Sequence, residues 1–286
     1  MAQFLRERAV GCVVAGVEVA AVSVLKTFAV PPSSLQGLQV TQVARHGKFL
    51  DLDVDGLHLV VHLAKAGWLR WSDTLPAAPA RPGAGPLALR VRLDSGEASV
   101  GSSGGPGFDL TEQGTRKRLA VYVVRDPGEV PAIASLGPDP MSPDFDRAAF
   151  AAILGGSNQR IKGLLREQSV IAGVGNAYSD EILHAARLSP FAIAGRLDAE
   201  QIDRLWTALR EVLDTAVAAA VGRPARELKD AKRSGLRVHG RTGLPCPVCG
   251  DVVREVSFAD SSLQYCARCQ TGGRPLADRR MSRLLR

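Results

Sequence analysis

The sequence predicts an α+β protein of several domains, and three observations predict it. Short alternating β-branched runs fill the first 125 residues, helical periodicity replaces them between about 145 and 221, and four cysteines stand as two Cys-x-x-Cys pairs near the C-terminus. With 286 residues and a hydrophobic fraction of 45%, the chain is long enough for two compact domains and a small third module.

The β-rich stretch covers residues 1–125. Residues 2–8 look like the end of a helix, with Phe4, Leu5 and Val10 as the apolar positions. Strands are expected over residues 17–24, 40–44, 49–54, 57–63, 68–71, 87–93 and 119–124. Residues 76–86 and 101–107 are rich in Pro, Gly and Ser and predict loops, and the prolines of 126–143 predict a linker. Helices are then expected over 145–154, 161–168, 180–186 and 199–221, the last with Ile202, Leu205, Trp206, Leu209, Val212 and Leu213 on one side. This second, all-α domain spans residues 126–222, and a basic segment with a finger at about 237–271 fills residues 223–286.

The four cysteines, Cys246, Cys249, Cys266 and Cys269, leave 16 residues between the two pairs, the spacing of a four-thiolate structural zinc site. Between them Val252, Val253, Val256, Phe258 and Leu263 make a short hairpin whose apolar face is too small to fold without an ion. Two disulfides are the competing explanation. Only Cys12 lies outside the cluster, no signal peptide opens the sequence, and no 18-residue apolar span occurs in it, so a reducing cytoplasm, no membrane association and one structural Zn2+ are expected. A closed four-sulfur shell leaves no open position for zinc catalysis.

Charge is distributed unevenly. Residues 222–286 hold 14 Lys/Arg against 6 Asp/Glu, a local charge of +8, which leaves −1 of the total +7 for all the rest. Arg223, Arg226, Lys229, Lys232, Arg233, Arg237 and Arg241 precede the finger, and Arg274, Arg279, Arg280, Arg283 and Arg286 follow it. A polyanion is the leading partner, and nucleic acid fits better than membrane because no apolar amphipathic face accompanies the charges. A solvated basic tail is the alternative for the last dozen residues. Between two of the helices, Ile171-Ala172-Gly173-Val174-Gly175-Asn176-Ala177-Tyr178 carries two glycines and an asparagine that accept positive φ at little cost. Such a turn exposes backbone N–H groups at a helix start, where a phosphate binds readily.

The order of these parts, followed by Val238-His239-Gly240-Arg241-Thr242-Gly243 leading into the cysteines, resembles the formamidopyrimidine-DNA glycosylase and endonuclease VIII family over nearly the whole chain. The resemblance implies an N-terminal β-sandwich of catalytic type, a helix-two-turn-helix DNA-binding domain and a C-terminal zinc-finger hairpin. The implied partner is double-stranded DNA with a damaged base or an abasic site, and the precedent is a monomer, here expected to be cytoplasmic and nucleoid-associated. Arg45-His46-Gly47-Lys48-Phe49-Leu50 is similar to the family's Gly-Lys-Tyr-Leu strand, which makes Lys48 the catalytic candidate; on its own the residue could equally be a solvent-facing strand lysine. Ile161-Lys162 and Gly173-Val174-Gly175-Asn176 resemble the segment that grips the DNA backbone, implicating Lys162, Gly175 and Asn176. Asn176 alone could also cap a helix or occupy a left-handed turn, roles compatible with that one. Arg237, His239 and Arg241 approach the finger on its basic side and add electrostatic contact.

The family chemistry is base-excision repair by a glycosylase with AP-lyase activity. The damaged base is extruded, an N-terminal amine adds to the glycosidic carbon, and the Schiff base makes β-elimination possible, with a carboxylate and a lysine moving protons. Relatives open Met-Pro-Glu-Leu-Pro-Glu-Val-Glu, whereas this sequence opens Met1-Ala2-Gln3-Phe4, which aligns with the helix after that motif. About ten residues of the pattern are absent, through a start placed too late or through genuine loss of the nucleophile, the former being favoured because the rest is intact. The expectation for the polypeptide as written is DNA binding with little glycosylase activity; the alternative is a non-catalytic binder of damaged or abasic DNA. An RNA-binding zinc ribbon is disfavoured by an aromatic content of 5%.

Three further departures accompany this one. Ser261 stands where β,δ-eliminating relatives have an arginine five residues before the third cysteine, which puts the δ step in doubt. Lys65, in His62-Leu63-Ala64-Lys65-Ala66-Gly67-Trp68, replaces a methionine that fills the void left by the flipped base. The segment from Thr111 to Leu119 lacks the expected Pro-Arg-Arg-Phe, although Arg116, Lys117 and Arg118 keep its positive charge, unless they form a solvated strand end. Lesion choice is left open by these differences.

Overall fold

The computed structural model describes residues 1–83, 85–96, 104–114, 117–228, 234–258 and 261–277. The chain divides into two compact units, Met1–Ser135 with Val221–Lys229, and Leu136–Ala220 with Asp230–Arg286.

The first unit opens with helix α1 (Ala2–Ala9), which buries Leu5 and Ala9, and continues among the described residues through the strands β1 (Val13–Val19), β2 (Val40–His46), β3 (Phe49–Val54), β4 (Leu57–His62), β5 (Gly67–Ser72), β6 (Leu87–Asp94), β7 (Gly107–Glu112) and β8 (Ala120–Val124). They form two antiparallel sheets, ordered β1-β6-β7-β5 and β2-β3-β4-β8, and their inward residues share one core. Leu89, Val91, Phe108, Leu110 and Leu69 face Leu50, Leu52, Leu59, Val61 and Val121 there. Each such fully buried apolar side chain contributes about 1.5–3 kcal/mol, and truncating one, as in Leu52→Ala, would cost about 2–5 kcal/mol. The second sheet is also covered on its other face, where Phe49, Val60 and Val124 pack on Val130 with Tyr122 and Ile133 beside them, Ile133 lying in α2 (Pro131–Ala134). Burial on both faces explains why β3 is almost uniformly buried instead of alternating.

Two strand expectations needed correction. The run expected over 17–24 pairs as Val13–Val19 and then leaves the sheet, because the amides of Ala20 and Ala21 both donate to the Ala88 carbonyl at 3.0 Å and a 3₁₀ turn follows over Val22–Val24. Strand β7 was not foreseen behind its Gly/Pro-rich approach. Gly107 is required at its first position, since a Cβ there would lie 2.2 Å from the Val91 carbonyl oxygen of the neighbouring strand.

In the second unit α3 (Arg147–Gly155) is capped by Asp146, whose carboxylate accepts the Ala149 amide at 2.8 Å. It is followed by α4 (Ile161–Arg166), α5 (Asn176–Ala185) and α6 (Ala199–Ala220). Their core holds Phe150, Leu154, Ile161, Leu165, Ile182, Leu205 and Leu209, with Trp206 edge-on to Phe145 and tilted against Phe150 at ring-centroid distances of 5.8 and 5.6 Å. The expected apolar side of α6 is thus the packed one. The hairpin β9 (Val253–Ser257) and β10 (Ser262–Cys266) and the short α7 (Ala267–Thr271) complete the unit. Among the described residues no helix is long and apolar enough to cross a membrane.

Candidate nucleic-acid interface and metal centre

The glycine turn before α5 is shaped by a side chain. Gln168 accepts the Gly173 amide through Oε1 at 3.0 Å and donates from Nε2 to the Val174 carbonyl at 2.9 Å, holding Gly173 at φ +85°, where a side chain would be strained. Gly175 is the N-cap in extended conformation and offers no side-chain cap, so Asn176 begins the helix four residues earlier than the hydrophobic period indicated. The first amides of α5 lack intrahelical acceptors, and the helix dipole favours an anion there. Asn176 neither caps the helix nor takes a left-handed turn. Its Nδ2 donates to the Ser262 carbonyl at 2.8 Å, at the start of β10, and its Oδ1 is buried without a partner among the described residues. The finger hairpin, closed by the Phe258 amide donating to the Ser261 carbonyl at 2.7 Å, therefore has one end fixed against α5.

Lys162, on α4, is buried rather than displayed. Its ammonium donates to Asp180 Oδ1 at 2.5 Å, to Ser179 Oγ at 3.0 Å and to the Asn176 carbonyl at 3.3 Å. Burial pushes its pKa below the usual lysine value, while Asp180 pulls the other way. The second oxygen of Asp180 faces His239 Nδ1 at 2.7 Å and accepts the Gln264 amide at 3.2 Å. The next residue, Glu181, accepts three successive backbone amides, those of Arg237 at 2.7 Å, Val238 at 3.0 Å and His239 at 2.8 Å. One buried carboxylate thus fixes the turn entering the finger, leaving Arg237 exposed. Arg241 is half-buried and donates to the Pro245 carbonyl at 3.4 Å.

The four finger cysteines are free thiols whose sulfurs all lie within 4.8 Å of one another. Cys246 and Cys269 are 3.9 Å apart and Cys249 and Cys266 3.3 Å. A tetrahedral zinc with bonds of about 2.3 Å has sulfur–sulfur edges of about 3.8 Å, so this donor set fits the ion, and an S–S bond is absent from it. Val238 and Val253 pack on the cysteines, and His184 Nε2 of α5 lies 3.3 Å from the Cys246 sulfur. Burial, with the charges of Arg237 and Arg187, holds the His184 imidazole down at about 4.

In the first unit, Lys48 lies not within a strand but at the second position of the two-residue turn joining β2 to β3, with Gly47 at φ +54° before it. It is exposed, and burial, helped by the Lys48 charge, pushes the pKa of His62, on β4, below the usual value. The His62 ring stacks at 4.7 Å on Phe49. On the same face of β3, buried Asp51 is held between His46 Nε2 at 3.0 Å and His58 Nδ1 at 2.9 Å. Lys65 is exposed in the tight turn from Leu63 to Gly67, whose ends are joined by the Gly67 amide donating to the Leu63 carbonyl at 2.9 Å. Arg116 lies outside the described residues.

Asp180, Glu181, His184, Gln168 and Asp51 were not singled out from sequence. The spacing of Asn176, Asp180 and His184 by four along one helix was the signal available for three functional neighbours, once the helix start was known.

Family comparisons agree with this architecture. Residues 1–102 match the formamidopyrimidine-DNA glycosylase N-terminal domain, residues 136–225 the formamidopyrimidine-DNA glycosylase H2TH domain, and residues 243–272 the zinc finger found in FPG and IleRS. The formamidopyrimidine-DNA glycosylase of Moorella thermoacetica is 35% identical over 229 residues, covering 78% of each chain. A formamidopyrimidine-DNA glycosylase-like protein of Mycobacterium tuberculosis is 60% identical over 156 residues, 54% of this chain and 98% of that one. The crystal structure of Lactococcus lactis Fpg in complex with DNA containing an abasic site superposes with a TM-score of 0.79 at 26% identity, covering 94% of this chain and 96% of that one. MutM in complex with DNA containing carbocyclic 8-oxo-G gives a TM-score of 0.78 at 26% identity, with the same coverage. The four-cysteine cluster is accordingly a zinc-binding finger, and the chain belongs to the formamidopyrimidine-DNA glycosylase family of DNA-repair proteins.

Proposed function

We propose that the protein acts on double-stranded DNA carrying a damaged base or an abasic site, as a base-excision glycosylase with AP-lyase activity, in the cytoplasm and as a monomer. The observation that carries this is the joint between α5 and the finger. Asn176 donates to Ser262, and Glu181 grips residues 237–239, so the start of α5, the finger hairpin and the residues that lead directly into the finger are held together. An arrangement of amides, Asn176 and Arg237 suits a phosphodiester backbone, and relatives of this fold are bound to abasic-site DNA. A single zinc, held by Cys246, Cys249, Cys266 and Cys269, supplies structural cross-linking of the hairpin and no chemistry.

In this account Gly175 and Asn176 contact the backbone through the helix start, Arg237 and Arg241 add charge, and Lys162 acts from within by holding Asp180. Lys65 and Arg116 meet the duplex near the extruded base. Lys48 serves the chemistry. Addition of an amine to C1′ expels the base; loss of a proton from C2′ of the resulting Schiff base expels the 3′ phosphate, and an exposed ammonium at a rigid turn suits the proton transfers and the phosphate.

Residues 1–286 contain no counterpart of the Pro-Glu-Leu-Pro-Glu opening. The polypeptide of those residues is therefore expected to bind lesion DNA with little Schiff-base trapping, behaviour it would share with a non-catalytic binder. Borohydride trapping on an abasic duplex separates the two. The same polypeptide preceded by Met-Pro-Glu-Leu-Pro-Glu-Val-Glu should form the covalent adduct, and Lys48→Ala in that background should reduce strand cleavage. Robust trapping by residues 1–286 alone would refute the assignment of the nucleophile, and no trapping by the extended form would favour the binder.

A further inference from the structure

Four side chains of α5 face the finger, and they are spaced so as to share one side of the helix: Asn176, Asp180, Glu181 and His184. The first three meet backbone amides, a carbonyl and His239. The fourth meets the metal centre. His184 is 2% exposed, its Nε2 lies 3.3 Å from the Cys246 sulfur, and its Nδ1 is buried with no partner among the described residues.

The chemistry of the sulfur fixes the tautomer. A metal-bound thiolate has no proton and can only accept, so an attractive contact requires the proton on Nε2. The opposite tautomer would set the Nε2 lone pair against the sulfur and bury an N–H at Nδ1 with nothing to receive it, the costlier orphan. With the proton on Nε2, Nδ1 is left as a bare acceptor, which matches its lack of a donor.

We infer that His184 is a positioning residue of the zinc centre: as its Nε2–H tautomer it donates a hydrogen bond to the Cys246 thiolate, orienting that ligand and tying the metal to the helix that begins with Asn176. The assignment rests on zinc filling the four-cysteine site. Outer partners of metal ligands are worth about 10- to 100-fold in metal affinity. A buried phenylalanine would fill the same space without the donor.

Zinc-loaded full-length protein is mixed with a chromophoric chelator and the rate of zinc release recorded. H184F should release zinc about tenfold faster than wild type, and H184Q, which keeps an N–H donor, should stay much closer to wild type. In the wild type, long-range 1H–15N correlation should find the His184 proton on Nε2 and none on Nδ1, a measurement that stands even where H184F fails to fold. Wild-type-like release from H184F, or a proton on Nδ1, would overturn the inference alone. A wild type that takes up no zinc would overturn the zinc assignment and this role together.

Discussion

Lys162 and Asp180 form a buried ion pair of 2.5 Å, the side chains being 6% and 0% exposed. The lysine that sequence comparison marks as a DNA-backbone contact is therefore, in the free protein, the brace of a carboxylate that also holds His239 and the Gln264 amide. Removing one member of a buried pair strands the other charge. Lys162→Met should lower the stability of the second unit by about 3 kcal/mol, read as a shift in urea midpoint, and Asp180→Asn by a similar amount. A loss below about 1 kcal/mol would show that the pair does not brace the fold.

Asn176→Ala removes one amide–carbonyl hydrogen bond to the finger, worth about 1 kcal/mol of stability, and a polar group at the start of α5. Affinity for a duplex with a stable abasic analogue should fall by roughly tenfold at fixed salt, equivalent to about 1.4 kcal/mol. Fluorescence anisotropy gives the number. Unchanged affinity would place the backbone contact elsewhere.

Ala64 adopts φ +54° in the turn that presents Lys65. The left-handed region costs a residue with a Cβ about 1–2 kcal/mol, partly offset on mutation by the greater freedom of glycine in the unfolded chain. Ala64→Gly should therefore raise stability by about 0.5–1 kcal/mol, a rise in thermal midpoint of a few degrees. A lower midpoint would count against the strain at this position.

His62 makes the first unit sensitive to acid. Burial and the Lys48 charge hold its pKa below the ordinary 6.5, so the folded state keeps the ring neutral while the unfolded chain protonates. Its contribution to stability is full above pH 6.5 and declines as pH falls below that toward the folded value. Replacement by Phe should flatten the dependence of the denaturant midpoint between pH 7.5 and 5.5, whereas an identical slope in wild type and variant would exclude this source.

Much of this was legible in the chain because local rules suffice for it. The cysteine spacing announced the metal ligands, and alternation located β3 to within a residue, since Leu50, Leu52 and Val54 point into a core. Other features depend on partners distant in sequence. Strand β7 exists because Gly107 can press against Val91, 16 positions earlier, and a Gly/Pro-rich stretch gives no periodicity to reveal it. Lys162 is drawn into a buried pair by a residue 18 positions later, which the family resemblance that marked it as a backbone contact did not reveal. Glu181 acts on a residue 56 positions away with nothing local to mark it, and His184 acts on one 62 positions away, its spacing by four from Asp180 becoming a signal only once the helix start is known.

The central claim, that α5 and the zinc finger form one grip on lesion DNA, is tested most directly by the affinity of residues 1–286 for an abasic-analogue duplex and for the undamaged duplex of the same sequence, at fixed salt, before and after zinc is removed. The account predicts a preference of at least about tenfold for the lesion, close to 1.4 kcal/mol, and its loss with the metal. Equal affinity for the two duplexes, or a preference that survives removal of zinc, would contradict it.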